Sequence, residues 1–249
     1  MCLDETGTDG HHEYVTVGGA VATLEQWNKV EIAWQRKLKS QGIDYFHLRD
    51  FDASDGLYSD WTKWKKGRFE KSLRDSITKN TMFQCAVSIH SKTHAEIKHR
   101  MKGIKGFRAD SDYSLCLRYL MFWVSEHLET VDQDFRLQVL AENGPWASGA
   151  ADTYQRVSNM RGKWKPAKHA HRLSGFATQP KGVLHSLGAA DLIVGREHIR
   201  LISRQRAPKY RPTLAHLLTP DNLETWYEAM MQEKEIRKAF GGLKAPARG

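Results

Sequence analysis

Nothing in this chain is apolar for long enough to cross a bilayer as a helix. Such a span needs about 18 consecutive apolar residues, and the longest candidate, around Leu115 to Val124, is amphipathic. The start of the chain also lacks the charged-then-apolar pattern of a secretory signal. Cysteine is scarce: Cys2, Cys85 and Cys116 are the only 3, an odd and scattered set, two of them within apolar runs. That set suits a reduced cytoplasmic protein rather than a disulfide framework, and no Cys pair has zinc-ligand spacing. No internal repeat is present, which removes solenoids and propellers. These absences point to a cytoplasmic protein with no membrane association.

What is present is a chain of 249 residues with 40% hydrophobic residues, enough to bury a real core in one large domain. Lys and Arg number 38 against 29 Asp and Glu, a formal charge of +9. A surplus of that size favours a polyanionic partner, nucleic acid (DNA or RNA) before anionic lipid, although a merely solvated basic surface gives the same number.

Periodicity places the elements. Cys2-Leu3 leads into the acids Asp4 and Glu5, and Glu13 to Thr23 reads as a strand after a turn-like run, so the chain opens as a hairpin. Its first strand is short; either the native start lies upstream of Met1 or the strand is a stub. Helices are expected over Leu24 to Ser40, with Gly42 as the stop, over Trp61 to Lys79, Lys92 to Lys102, Asp112 to Thr130, Trp146 to Met160 and Asn222 to Phe240. Strands are expected over Thr81 to His90, over Phe135 to Ala141 and near Arg172 to Ala177. The order describes an α/β fold, a sheet layer covered by helices.

The most informative stretch is Leu184 to His198. Leu184, Leu187, Asp191, Val194 and His198 recur at steps of three and four and share one helical face, apolar except for its acid. A carboxylate on a core-facing stripe needs a donor, a cation or a proton. Gly188, Ala189 and Ala190 are small enough to let this helix approach a sheet closely. Two further acids stand out by position, Asp4 ending the first strand and Glu142 ending the central one. Strand ends on one edge of an α/β sheet converge, and a helix packed across that edge adds a third ligand. Carboxylate oxygens suit Mg²⁺ or Mn²⁺, which can clamp the attacking and leaving oxygens of a phosphodiester displacement.

Four motifs in order, LDETG, FHLRDF, AENG and GAADLIVG, spread over residues 3 to 205, resemble the domain-of-unknown-function 3800 family of bacterial and phage proteins. That family opens with Asp-Glu-Ser-Gly and carries a His-x-x-Asp segment and a late Leu-Gln-x-Ala-Asp helix. The resemblance implies a ribonuclease H-like mixed sheet flanked by helices, with an acidic metal-binding centre and nuclease activity. By position it assigns Asp4, Glu5, His47, Asp50, Glu142 and Asp191 to the catalytic centre. Three departures are visible: Thr6 in place of Ser, Gly188 in place of Gln, and Glu142 where Asp is frequent, which lengthens one ligand by a methylene. The implied layout is a ribonuclease H-like domain over 1 to 205 and a helical C-terminal extension over 206 to 249.

Each assignment has a plainer counterpart. Asp4, Glu5 and Glu142 could shape turns, and His47 and Asp50 fall in an expected loop, where polar residues are ordinary. His90 with His94, and His169 with His171, have spacings a zinc ion could use but lie in unsuitable contexts; His11-His12 could supply a proton-transfer group. Two basic clusters contain tryptophan: Lys63, Lys65, Lys66 and Arg68 beside Trp61 and Trp64, and Arg161, Lys163, Lys165 and Lys168 around Trp164. Such a combination neutralises phosphates and stacks bases, or simply solvates a helix face. The sequence therefore supports hydrolysis of nucleic acid by a water that Mg²⁺ or Mn²⁺ activates, with Asp4, Glu142 and Asp191 as ligands. Its rivals are a non-catalytic nucleic-acid- or protein-binding module, linked to phage defence or mobile elements, and a hydrolase of small phosphate compounds. Oligomeric state is not legible.

Overall fold

The computed structural model describes residues 1–104, 107–132, 134–160, 168–203 and 212–229. They form strands β1 (Cys2–Thr6), β2 (Tyr14–Val21), β3 (Phe83–His90), β4 (Leu137–Glu142), β5 (Leu173–Gln179) and β6 (Leu214–Leu218). The helices are α1 (Leu24–Lys39), α2 (Leu48–Ala53), α3 (Lys63–Asn80), α4 (Ser91–Met101), α5 (Asp112–Val131), α6 (Ala147–Ser158) and α7 (His185–Ile202), and residues 220–229 are also helical. The six strands make one mixed sheet in the order β5-β4-β1-β2-β3-β6. β1, β2 and β3 pair antiparallel, while β4 runs parallel to β1, β5 parallel to β4 and β6 parallel to β3. An α/β fold with a helix-flanked mixed sheet is thus what this sequence makes.

Alternation along β2 shows how the two faces are filled. Val15 and Val17 point into a core with α4, α5, α6 and residues 220–229, as period-two side chains must. The intervening positions, Thr16, Gly18 and Ala20, are small, and α7 packs over β1 and β2 on that side. A second core there joins Trp34 and Leu38 of α1, Phe51 of α2, Leu73 and Ile77 of α3, and Leu192 and Ile193 of α7. The small residues of α7 divide their work. Ala189 and Ala190 are fully buried, whereas Gly188 faces α1, where an added Cβ would lie 3.2 Å from the Trp34 ring.

Two elements differ from expectation. Residues 47–50 are not loop: His47 is the N-cap of α2 and Asp50 lies in its first turn. β6 falls beyond residue 205 yet pairs with β3 along Cys85–Ile89, so the single sheet takes a strand from the stretch expected to be a helical extension. The expected last helix is described only over 220–229. His90 ends β3 and His94 lies in the first turn of α4, which Ser91 begins, so the two are divided by an element boundary. His94 is buried, with Nδ1 2.7 Å from Asp112 and Nε2 2.6 Å from the Tyr227 hydroxyl, which gives it a structural role. Cys2, Cys85 and Cys116 are free and buried. Among the described residues no helix is long and apolar enough to cross a membrane.

α7 is buried on most of its circumference, so its polar groups need partners. Its first two backbone N–H groups, His185 and Ser186, donate to the Glu31 carboxylate of α1 at 2.9 and 2.7 Å, in place of a side-chain cap. Arg196 is held by the Asp52 carboxylate through two N–H bonds of 2.7 Å and by Glu70 at 2.9 and 3.0 Å, tying α7 to α2 and α3. Replacing Arg196 with Ala leaves Asp52 without its bidentate partner and Glu70 with only the longer 3.3 Å contact to Arg74, and is expected to cost about 3 kcal/mol in a urea or guanidinium titration. A loss below about 0.5 kcal/mol would place this network among surface pairs instead.

Candidate functional site

Parallel pairing of β1 with β4 matches Cys2 to Leu140 and Leu3 to Ala141. One residue further along, Asp4 and Glu142 are neighbours where β4 ends; β1 itself runs two residues further, to Thr6, paired with β2, so Asp4 lies inside its strand and not at its end as expected. α7 crosses β1 just there and carries Asp191 to the same place. Asp4, Glu5, Glu142 and Asp191 together border a cavity of about 360 Å³, whose wall also includes His47, Arg49, Lys181 and His198. The structure therefore brings the four sequence-selected acids to one place, together with His47. Asp50 is one step removed: its Oδ2 lies 2.9 Å from His47 Nδ1 and it faces a neighbouring cavity. Its influence on the acidic cavity runs through the orientation of the imidazole.

The charges in this cavity are out of balance. Burial pushes the Asp4 carboxyl well above the usual range, and Asp191, Glu5 and Glu142 push it further. Glu5 is pushed up to about 7 by burial, Glu142 and Asp191, against the pull of Lys181. Asp191 is also raised by burial, although the Leu48 N–H, His47 and Lys181 work in the opposite direction. Its Oδ2 accepts the Leu48 N–H at 2.8 Å, a bond to the first residue of α2 that the dipole of that helix favours. Lys181 approaches Glu142 at 3.7 Å and is 39% exposed, too far and too wet to neutralise four acids. Among the described residues, no group of three or more His, Cys, Asp or Glu side chains is arranged to hold a metal ion. The cavity nevertheless has the donor chemistry and the surplus charge that a hard divalent cation relieves.

Three lining residues escaped the motif reading. Lys181 belongs to the turn between β5 and α7, and Arg49 to the unexpected α2. His198 was visible only as a member of the α7 face, two turns beyond Asp191. It is 5% exposed, and neither ring nitrogen has a hydrogen-bond partner among the described residues. Burial, and then the nearby His12, lower its pKa to about 4, so it is neutral at ordinary pH. His12 meets it edge-on at 5.2 Å between centroids and itself lies 3.6 Å from Asp9. Gly7, at φ +76, turns the chain beside the His198 ring where a Cβ would collide with the Tyr14 carbonyl. Of the His11-His12 pair, His12 is the member that meets His198, but it does not itself line the cavity.

The first basic cluster is where expected. Lys63, Lys65, Lys66 and Arg68 occupy the first turns of α3. Lys65 lies over the Trp61 ring, Arg68 over the 69% exposed Trp64, and Lys66 reaches the Asp52 carbonyl and the Ser54 hydroxyl of α2. Asp52 borders the acidic cavity, so this cationic end of α3 adjoins it. Arg161, Lys163, Trp164 and Lys165 lie outside the described residues, as does His171 in its side chain. The short helical turn Ala170–Arg172, two residues after Lys168, lies against α5 and α6, in the helical layer opposite the one that holds α3.

No family model, curated protein or solved structure matches this chain. The arrangement has to be read from its own chemistry.

Protonation supplies a first test. Below pH 4.5 Glu5 carries its proton in folded and unfolded chains alike; between there and about 7 only the folded chain keeps it. The folded state binds the extra proton, so its stability falls as pH rises through this window and stays lower above it. In chelator, Glu5→Gln is expected to raise stability at pH 8 by about 2 kcal/mol and to change it little at pH 4. Denaturant titrations at the two pH values measure this. Equal effects at both would mean that Glu5 is not crowded by its neighbours.

Proposed function

We propose that this protein is a divalent-cation-dependent phosphodiesterase acting on nucleic acid, of ribonuclease H-like fold and related to the domain-of-unknown-function 3800 family. The observation that carries the reading is the convergence of Asp4, Glu5, Glu142 and Asp191 on one cavity with too few cations to balance them. The motif order and the helix-flanked mixed sheet are compatible with that assignment. A non-catalytic binding module gains nothing from such an arrangement, since mutual repulsion among buried carboxylates destabilises the fold unless something binds there.

In this reading Asp4, Glu142 and Asp191 hold Mg²⁺ or Mn²⁺, with Glu5 in support. When bound, the cation supplies Lewis-acid polarisation and lowers the pKa of water. Because the carboxylates do not stand as a ready-made shell, ion binding includes a rearrangement of side chains. The chain's own residues do the rest. Lys181 and Arg49 at the rim oppose the charge of an incoming phosphate, and Lys63, Lys65, Lys66 and Arg68 extend that field along α3 for a polymeric backbone. Exposed Trp64, beside the Arg68 guanidinium, offers a face on which an unstacked base can lie. His47, fixed by Asp50, is the group placed to exchange a proton at the cavity mouth.

The test compares the native protein with Asp191→Asn, whose amide oxygen can still accept the Leu48 N–H, on labelled single- and double-stranded DNA and RNA in Mg²⁺, Mn²⁺ or EDTA. Cation-dependent cleavage that falls at least about 100-fold in the variant is the expected result. The native protein should also gain thermal stability with Mn²⁺ as concentration exceeds affinity, and the variant should gain less. Binding of the same strands by both proteins with neither cleavage nor a Mn²⁺ response would give the binding-module reading the lead. Cleavage confined to mononucleotides would select the hydrolase of small phosphate compounds.

A further inference from the structure

The two tryptophans at the start of α3 have different surroundings. Trp61 is half-buried and meets Phe51, Tyr58 and Phe69 edge-on, against the core that α1, α2, α3 and α7 share. Trp64 stands outside that core and is 69% exposed, the one exposed tryptophan among the described residues. An indole left in water forgoes the burial that normally places so large a ring, so its position has another reason. Its neighbours on the helix face are Gly67, three residues on, and Arg68, four on. Arg68 sets its guanidinium 4.5 Å from the ring centroid. Gly67 lies inside α3, where glycine is the poorest helix former after proline. Packing does not require it, because a Cβ there would meet nothing within 4 Å. Helical side chains lean toward the N-terminus, so a larger residue at 67 would lie over the turn that carries Trp64; glycine leaves that side of the ring uncovered.

The charges around the indole also run against helix stability. Lys63, Lys65, Lys66 and Arg68 crowd the first two turns of α3, whose first turn holds no acid, where the helix dipole favours negative charge. A polyanion lying over them relieves this. Lys66 is engaged with α2, at the Asp52 carbonyl, the Ser54 hydroxyl and 4.7 Å over the Phe51 ring, and so joins the patch to a wall of the acidic cavity. Lys63, Lys65 and Arg68 remain exposed to solvent. Cations alone favour the duplex, whose charge is denser. The indole discriminates the other way, since paired bases hide their faces in the stack and an unpaired base offers one. We propose that the start of α3 selects single-stranded nucleic acid over duplex, with an unpaired base on Trp64 and the flanking phosphates on Lys63, Lys65 and Arg68. Nucleic acid as the polymer rests on the phosphodiesterase reading; the single-stranded form rests on Trp64, Gly67 and Arg68.

Binding without cleavage tests this. The full chain is titrated in EDTA into labelled oligothymidine and oligouridine, each alone and paired with its complement, and read by fluorescence anisotropy. The single strands are expected to bind about tenfold more tightly than the duplexes, the reverse of the order that charge alone produces. Trp64→Ala should remove about tenfold of the single-strand affinity while leaving duplex affinity and the slope of affinity against salt unchanged, since no charge is lost. Trp64→Phe should restore part of it. Gly67→Leu should raise the melting temperature, as a better helix former, yet weaken single-strand binding at least about threefold by covering the indole. Duplex bound as tightly as single strand, a preference that survives Trp64→Ala, or undiminished binding by Gly67→Leu overturns the inference. The two readings fail separately: cation-dependent cleavage with no single-strand preference sinks only this one, and single-strand preference without cleavage sinks only the other.

Discussion

The structure depends on burying α7, a helix that carries charge. A helix enclosed by a sheet on one side and by α1, α2 and α3 on the other has no water to turn to, so each polar group on it requires a partner from a particular element. Glu31 of α1 receives its first N–H groups, Leu48 of α2 its Asp191, and Asp52 and Glu70 its Arg196. Arg200, one turn on, closes on the 3% exposed Glu197 at 2.6 Å. These pairings fix the direction of α7 over the sheet more tightly than apolar packing could, because hydrophobic contact is indifferent to rotation and bidentate ion pairs are not.

That rigidity explains why the carboxylates can be held together at all. Like charges crowded at a strand edge push their surroundings apart, and a loosely packed edge would relax by letting the acids swing into solvent. Here β1 is a central strand, joined to β2 and β4 on its two sides, and Asp191 is anchored by a backbone N–H. Burial first, and then mutual repulsion, hold these carboxyls above their usual range. His198 belongs to the same account: like His185 Nδ1 at the start of α7, its ring nitrogens find no partner among the described residues.

Much of this was legible in sequence because it depends on short-range periodicity. The alternation of Val15 and Val17 with small residues, and the spacing from Leu187 through Asp191 to His198, belong to single elements and survive whatever the tertiary structure does. Asp4, Glu142 and Asp191 could be placed together because strand ends and a crossing helix follow general rules of α/β folds. α2 was not legible: it has six residues, no side-chain cap at His47, and a stability that comes from Phe51 in the core and Asp191 at its start. β6 likewise exists through pairing with β3, and its five residues hold no strong alternation of their own. The missing partners of His198 lie furthest from the sequence, since what is absent from a contact cannot be seen in the residue alone.

α2 then explains why scaffold and site cannot be separated. One oxygen of Asp191 is spent on the Leu48 N–H, and that bond sets where α2 begins. The start of α2 sets His47 as its N-cap, and the first turn supplies the Asp50 that orients His47. The same helix carries Asp52 to Arg196, five positions beyond Asp191, and so returns the constraint to α7. The loop is closed: α7 positions α2, and α2 holds α7. On the proposed reading, a cation held at Asp191 would compete for the charge that favours the Leu48 bond, so that its occupancy and the position of α2 would be linked quantities.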